Sequence, residues 1–212
     1  MQPENETNNQ QAQRSFIEQA RRAQIIEATI DVLAEQGQGN ASFVRIAQHA
    51  GISPSLISYH FKHKEELWAE VLASIIVARV AYVSEHIARA TTAADKLRAA
   101  LEADLIYMGT RPKLFAALVE VFFSMRNSKG RVAHLEDNDD DDGDLQTLIA
   151  IFQAGQQSGE FGAFDPIILA HILAGAKDRF LAQLLRRPDL DLELFTQTLV
   201  GLALAATRKE TP

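Results

Sequence analysis

Apolar positions along the 212-residue chain recur at spacings of three and four, and no stretch alternates apolar with polar over the length of a strand. From Phe16 the pattern is helical: Ala23, Ile26, Ile30 and Leu33 form one apolar stripe, which Gly37 and Gly39 stop. Ser42 is placed to cap a short second helix carrying Val44, Ile46 and Ala47, and Gly51 breaks it. Ser53-Pro54 opens a third helix, with serine as cap and proline at the first helical position. A long helix starts near Lys64, with Glu65 and Glu66 in the first turn, where carboxylates favour the helix dipole. It runs without Gly or Pro to about Ile87, roughly 37 Å at the usual rise per residue. Further helices are expected at residues 93–109, 112–127, 144–158, 166–186 and 190–208. The predicted fold class is all-α. Residues 1–13, rich in Gln, Asn and Glu with no apolar period, are expected to form a disordered tail. Residues 14–63 are expected to form a three-helix module, and residues 64–212 a second helical domain entered by the long helix.

The informative stretch runs from Ile46 to Leu67. Two short helices that cross closely need a sharp turn, so that the second can lie in the DNA major groove. Ala47 is small at the expected crossing, Gly51 can take the left-handed turn conformation, and Ile57 and Phe61 anchor the inner face of the third helix. This is helix-turn-helix spacing. On the outer face Ser55, Ser58 and Tyr59 offer hydroxyls and Leu56 an apolar contact for a thymine methyl.

Charge supports the same face. The net charge is −7, yet residues 14–64 hold six Arg or Lys against four Asp or Glu, and three of the six histidines, His49, His60 and His63. No acid occurs between Glu35 and Glu65, which brackets the proposed DNA face. There is no cysteine, which excludes disulfides, thiolate metal sites and a thiol nucleophile. Glu70 and Arg79 interrupt the longest apolar region, and the N-terminal residues lack a secretion-signal pattern, so no membrane association and a cytoplasmic location are expected.

The run from Ile25 to Leu67 resembles the N-terminal signature of the TetR family of bacterial regulators, above all in Gly51-Ile52-Ser53 and in Tyr59-His60-Phe61-Lys62-His63-Lys64-Glu65-Glu66-Leu67. The resemblance implies that Pro54, Ser55, Leu56 and Ser58 face bases. It implies that Tyr59, His60 and Lys64 reach phosphates, and that Ser42 and Arg45 lie near the DNA backbone. Two positions depart from the family pattern: a tyrosine is common where Ser58 stands, and Ser, Asp or Asn is usual where His63 precedes the fourth helix. The resemblance further implies an effector pocket in the second domain, for which Tyr82, His86, Tyr107, Phe115, Glu120, Phe123 and Phe152 are the candidates. It also implies dimerisation through the last two helices. There Ala170, Ala174 and Gly175 form a small-residue face, beside which Leu199, Leu202 and Ala206 can pack; a seam internal to the core is the alternative.

Other constellations carry less. The acidic run Glu136 to Asp144 fails as a calcium loop, because aligning Gly143 with the loop glycine puts Ile149 where the bidentate glutamate belongs. It reads as a solvated loop. His60 and His63 lack a third ligand nearby, so no metal is expected. No nucleophile elbow, phosphate loop or paired acid and base occurs, so neither catalysis nor a cofactor is expected.

The expected function is a homodimeric repressor that leaves a palindromic DNA operator when a small effector binds, the effector being apolar or aromatic, with room for a cationic one. An activator, a regulator controlled by a protein partner, and a helical adaptor that has lost DNA binding are the alternatives.

Overall fold

The computed structural model describes residues 3–124 and 143–209, with side chains from Phe16 onward except Phe123. Among these residues there are nine helices and no strand. They are α1 (Pro3–Gln36), α2 (Phe43–Ala50), α3 (Pro54–His60), α4 (Lys64–Ala88), α5 (Ala93–Gly109), α6 (Pro112–Ser124), α7 (Gly143–Gln157), α8 (Pro166–Leu184) and α9 (Leu192–Ala206). The acidic run up to Asp142 lies outside the described residues.

The caps expected from the sequence are formed. Ser42 accepts the Arg45 N–H at the start of α2, and Ser53 accepts the Leu56 N–H at the start of α3, where Pro54 occupies the first turn. Farther along, Thr92, Asp165 and Asp191 do the same for α5, α8 and α9.

The chain divides into two compact units. One comprises Met1–Ser74 with Ala116–Met125, the other Ile75–Phe115 with Arg126–Pro212. This division falls inside α4. The reason is local: Leu67, Trp68 and Val71 in the first turns of α4 are buried in the first unit's core. Ala117 and Val121 of α6 are buried too, and Glu120 accepts the Gln38 N–H at 2.8 Å.

Within the first unit, α1 packs on α2 and α2 on α3. Two expectations about α1 need correction. It begins at Pro3, so the segment expected to be disordered is helical. Gln, Glu and Ala are adequate helix formers without any apolar stripe, and proline is tolerated at a helix start. The buried line is also rotated by about one residue. Ala23 is exposed and Ile26 and Ile30 are half-buried, while Ile25, Ala28, Thr29, Val32 and Leu33 form the core. The doublets Ile25-Ile26 and Val32-Leu33 allow either register, and Thr29 passes as an inward residue because its hydroxyl donates to the Ile25 carbonyl at 2.6 Å.

In the second unit α5 is the central helix, packing on α7, α8 and α9. Its Leu97, Leu101, Leu105 and Met108 are buried among Leu148, Phe152, Leu173, Leu181 and Val200 from those three neighbours. Phe180 and Phe195 stack nearly parallel at 3.8 Å between α8 and α9. Among the described residues α4 alone is long and apolar enough to cross a membrane by length and composition. Its Leu67, Trp68, Val71 and Ile75 are buried and Arg79 forms ion pairs, while Ile76, Val77 and Val80 are exposed.

Candidate functional site

α3 is seven residues long, too short to persist alone, so its orientation comes from its neighbours. Between α2 and α3, Gly51 adopts the left-handed conformation (φ 66°, ψ 33°), its N–H directed at the Ala47 and Gln48 carbonyls. Ile52 donates to the Ala47 carbonyl at 3.0 Å, completing the turn. Ile46, Ala47, Ile57 and Phe61 are buried beneath it. This leaves Pro54, Ser55, Ser58 and Tyr59 exposed on the outer face, with Leu56 and His60 half-buried at its edges.

The outer serine hydroxyls make local bonds, and the Tyr59 hydroxyl reaches α1. Ser55 Oγ lies 2.9 Å from Ser53 Oγ, Ser58 Oγ donates to the Pro54 carbonyl at 3.3 Å, and the Tyr59 hydroxyl donates to Glu18 at 3.4 Å. The Tyr59 ring, 72% exposed, stands edge-on to His60. Arg45 is exposed and donates to the Gln36 side chain at 2.7 Å. Lys64 is exposed as the first residue of α4. Where His63 replaces a usual capping residue, Glu66 reaches back to accept the Lys62 N–H at 2.8 Å.

Two residues of α1 that the sequence did not single out hold this assembly. Arg22 donates to the His60 carbonyl at 2.9 Å, lies over the Phe61 ring at 4.4 Å and pairs with Glu70 at 3.1 Å. Gln24 donates to the Ala50 carbonyl at 2.9 Å. Both carbonyls end a short helix, where no intrahelical donor remains.

The second unit contains a small pocket, open to solvent, lined by residues of α4, α5, α7 and α8. Val80, Val83, Ile87, Leu101, Leu148 and Leu173 make its walls aliphatic, and Asp104, Asp144 and Lys177 form a polar end. None of the seven aromatic or polar residues expected at an effector site lines it. Tyr82, His86 and Tyr107 form a separate cluster, with ring centres 4.3 and 5.2 Å apart, and Arg111 lies 4.2 Å over Tyr107. Phe115 is buried, and Phe152 is core against Phe161 and Phe164. Glu120 is engaged by Gln38 in the first unit, and the Phe123 side chain lies outside the described residues. Aromatic spacing marked core; the pocket's aliphatic walls left no distinctive pattern.

At the polar end Asp104 receives two cations on separate oxygens: Arg79 at 3.1 Å and Lys177 at 2.5 Å. Asp144 also pairs with Arg79 and lies 3.8 Å from Lys177. Burial alone would push the Asp104 carboxyl up, but Lys177 and Arg79 outweigh it and hold the group below the ordinary carboxylate range. Burial likewise opposes the charges on Lys177 and Arg79, and the carboxylates overcome it, raising both.

The six residues expected at a dimer interface separate. Ala170 and Leu199 are buried inside the unit, and Ala174 is half-buried and lines the pocket. Gly175, Leu202 and Ala206 are exposed, alongside Ile168 and Ile172, which are 59% and 60% exposed.

Residues 25–71 match the family described as bacterial regulatory proteins, tetR family. The chain is 40% identical over 55 residues to the HTH-type transcriptional regulator BetI of Klebsiella pneumoniae, covering 26% of this chain and 28% of that one. With BetI of Pseudomonas paraeruginosa it shares 36% over 83 residues, covering 39% and 41%. The matched stretch thus spans less than half the length of these regulators. Among solved structures, the transcriptional regulator FadR of Bacillus subtilis, in complex with stearoyl-CoA, superposes with a TM-score of 0.74 at 22% identity, over 87% of this chain and 98% of that one. PfmR of Thermus thermophilus, a TetR-family regulator, superposes at 0.66 and 20% identity, over 89% and 96%. At these identities the structural likeness is one of fold.

Two outcomes are expected. Arg22→Ala should lower the stability of the first unit by about 1.5–3 kcal/mol, the range for a hydrogen bond to a charged group, read as an earlier Trp68 fluorescence transition. An unmoved transition would remove Arg22 from its supporting role. For the second unit, a depressed Asp104 pKa means stabilisation present above the ordinary carboxylate range and lost as pH falls through the lower folded value. Raised Lys177 and Arg79 values place their loss far on the alkaline side. Circular dichroism should therefore show a unit stable from neutrality into mild acid. Asp104→Asn should lose about 3–5 kcal/mol at neutral pH and unfold with less acid dependence.

Proposed function

This chain belongs to the TetR family of bacterial regulatory proteins, and from that premise we propose that it is a sequence-specific DNA-binding transcriptional regulator acting as a homodimeric, ligand-released repressor in the cytoplasm. The observation that carries the DNA-binding part is the outer face of α3. A capped, pinned helix presents Pro54, Ser55, Leu56 and Ser58 where base edges would lie, in a stretch without acids. Tyr59, His60 and Lys64, with Ser42 and Arg45 at the start of α2, flank that face as phosphate contacts. Major-groove hydroxyls read bases, while flanking cations and hydroxyls set register on the backbone.

A palindromic operator needs a two-fold dimer, and the exposed apolar face of α8 and α9 supplies the surface. Ile168, Ile172 and Gly175 follow one another along α8 at spacings of four and three, with Leu202 and Ala206 exposed on α9. Ala170 and Leu199, being internal, are not part of this surface.

The effector site in this reading is the aliphatic pocket of the second unit. FadR, similar in fold, was solved with stearoyl-CoA, and hydrocarbon walls suit a ligand with an aliphatic body. Ligand binding releases DNA only if it favours the DNA-incompetent conformation. α4 is the natural carrier, since one continuous helix contains both Lys64 and the pocket residues Val80, Val83 and Ile87.

Lys64→Ala should weaken binding to every DNA sequence and reduce the salt slope by roughly one unit, whereas Ser58→Ala should change sequence preference. Operator and random DNA bound at wild-type strength by both variants would refute the interface. For assembly, a side chain built at Gly175 meets nothing within 4 Å, so Gly175→Leu should leave the protomer folded. It should separate the dimer in sedimentation and weaken operator binding. A wild-type monomer at micromolar concentration would contradict the dimer.

A further inference from the structure

The polar end of the pocket is asymmetric. Asp104 and Lys177 are almost fully buried, with side chains 10% and 9% exposed, and Asp104 places one oxygen on each cation. Asp144, at 31%, is the exposed member, and its distance of 3.8 Å to Lys177 exceeds a hydrogen bond. Two donors are therefore under-used. Lys177 has three N–H groups, with Asp104 at hydrogen-bond distance and Asp144 beyond it, and Arg79 Nε is buried without a partner. Both Asp104 oxygens already serve a cation. An unfilled donor set beside aliphatic walls calls for a ligand that brings an acceptor.

Charge narrows the acceptor further. Arg79 and Lys177 are already balanced by Asp104 and Asp144, with Asp178 adding a third carboxylate near Lys177, so an added anion would leave an uncompensated buried charge unless one carboxylate left. Asp144 is the one that can leave. It stands in the first turn of α7, partly in solvent, and turning outward recovers its hydration. A cationic ligand finds the opposite situation, with both carboxylates already paired to fixed cations.

We propose that the pocket binds a small aliphatic monocarboxylate, whose carboxylate displaces Asp144 from Arg79 and Lys177 while its hydrocarbon body lies along Val83, Ile87, Leu101 and Leu148. Asp144 is thus the internal anion that holds the site when it is empty. This inference rests on the pocket being the effector site. The exchange replaces the α4–α7 ion pair between Arg79 and Asp144 with one between α4 and the ligand.

The test compares hexanoate, hexanamide, hexanol and hexylamine by calorimetry and thermal shift on the full chain. The proteins are wild type, Asp144→Asn, Asp144→Ser and Ser84→Trp, the last placing bulk at an exposed lining position. Hexanoate should bind wild type at least about tenfold more tightly than its neutral analogues. Both Asp144 variants should bind hexanoate about tenfold more tightly still, because nothing must be expelled, with hexanamide unchanged. Each should melt earlier than wild type when empty and recover with hexanoate. Ser84→Trp should abolish the effect. Equal binding of hexanamide or hexanol, or indifference of hexanoate to both Asp144 variants, would overturn the exchange. If such neutral ligands also release operator DNA and are blocked by Ser84→Trp, the effector pocket stands without its carboxylate preference. Binding by none of the four, or binding indifferent to Ser84→Trp, would sink both.

Discussion

Two side chains of α1 close the ends of two helices that cannot close themselves. α2 and α3 have eight and seven residues, so at least half of each helix's carbonyls lack an intrahelical donor. Gln24 reaches the last carbonyl of α2 and Arg22 the last of α3. Arg22 also lies on Phe61 and holds Glu70 of α4, so one guanidinium ties three helices together. Exposed serines can meet a groove in a reproducible pose only if the helix beneath them is held in this way.

The second unit solves a different problem with the same kind of group. Burying Arg79, Lys177 and Asp104 costs solvation that the ion pairs only roughly offset, and an apolar seam of equal volume would be at least as stable. What the charges add is discrimination. Four helices each contribute one member, so only one relative placement of α4, α5, α7 and α8 satisfies them together. Aliphatic walls alone would tolerate sliding.

Much of this architecture was legible because helix ends are written locally. Ser42, Ser53 with Pro54, and Gly51 each act on backbone groups within four residues, and the structure places the ends of α2 and α3 where those residues indicate. The inward face of α1 was harder, since adjacent apolar doublets fit two registers and only packing chooses between them. The pocket and its ion pairs were not legible at all. Asp104 and Lys177 are 73 positions apart and Arg79 and Asp104 are 25 apart, with no periodic signal joining them. Arg22 was hidden for the same reason, its acceptor lying 38 residues downstream. Large rings at helical spacing fill cores, as Phe152 does against Phe161 and Phe164.

The bond from Glu120 to the Gln38 N–H has a consequence for biosynthesis. It spans 82 residues, and α6 belongs by its contacts to the first unit although α5 and most of α4 lie between. A nascent chain that has emerged only through Ser74 carries every residue of the helix-turn-helix yet lacks Ala117, Glu120 and Val121. At about 5–20 residues per second of synthesis, the first unit waits several seconds for its last helix. During that interval the Gln38 N–H lacks its carboxylate acceptor, and the incomplete unit is exposed to chaperones and proteases.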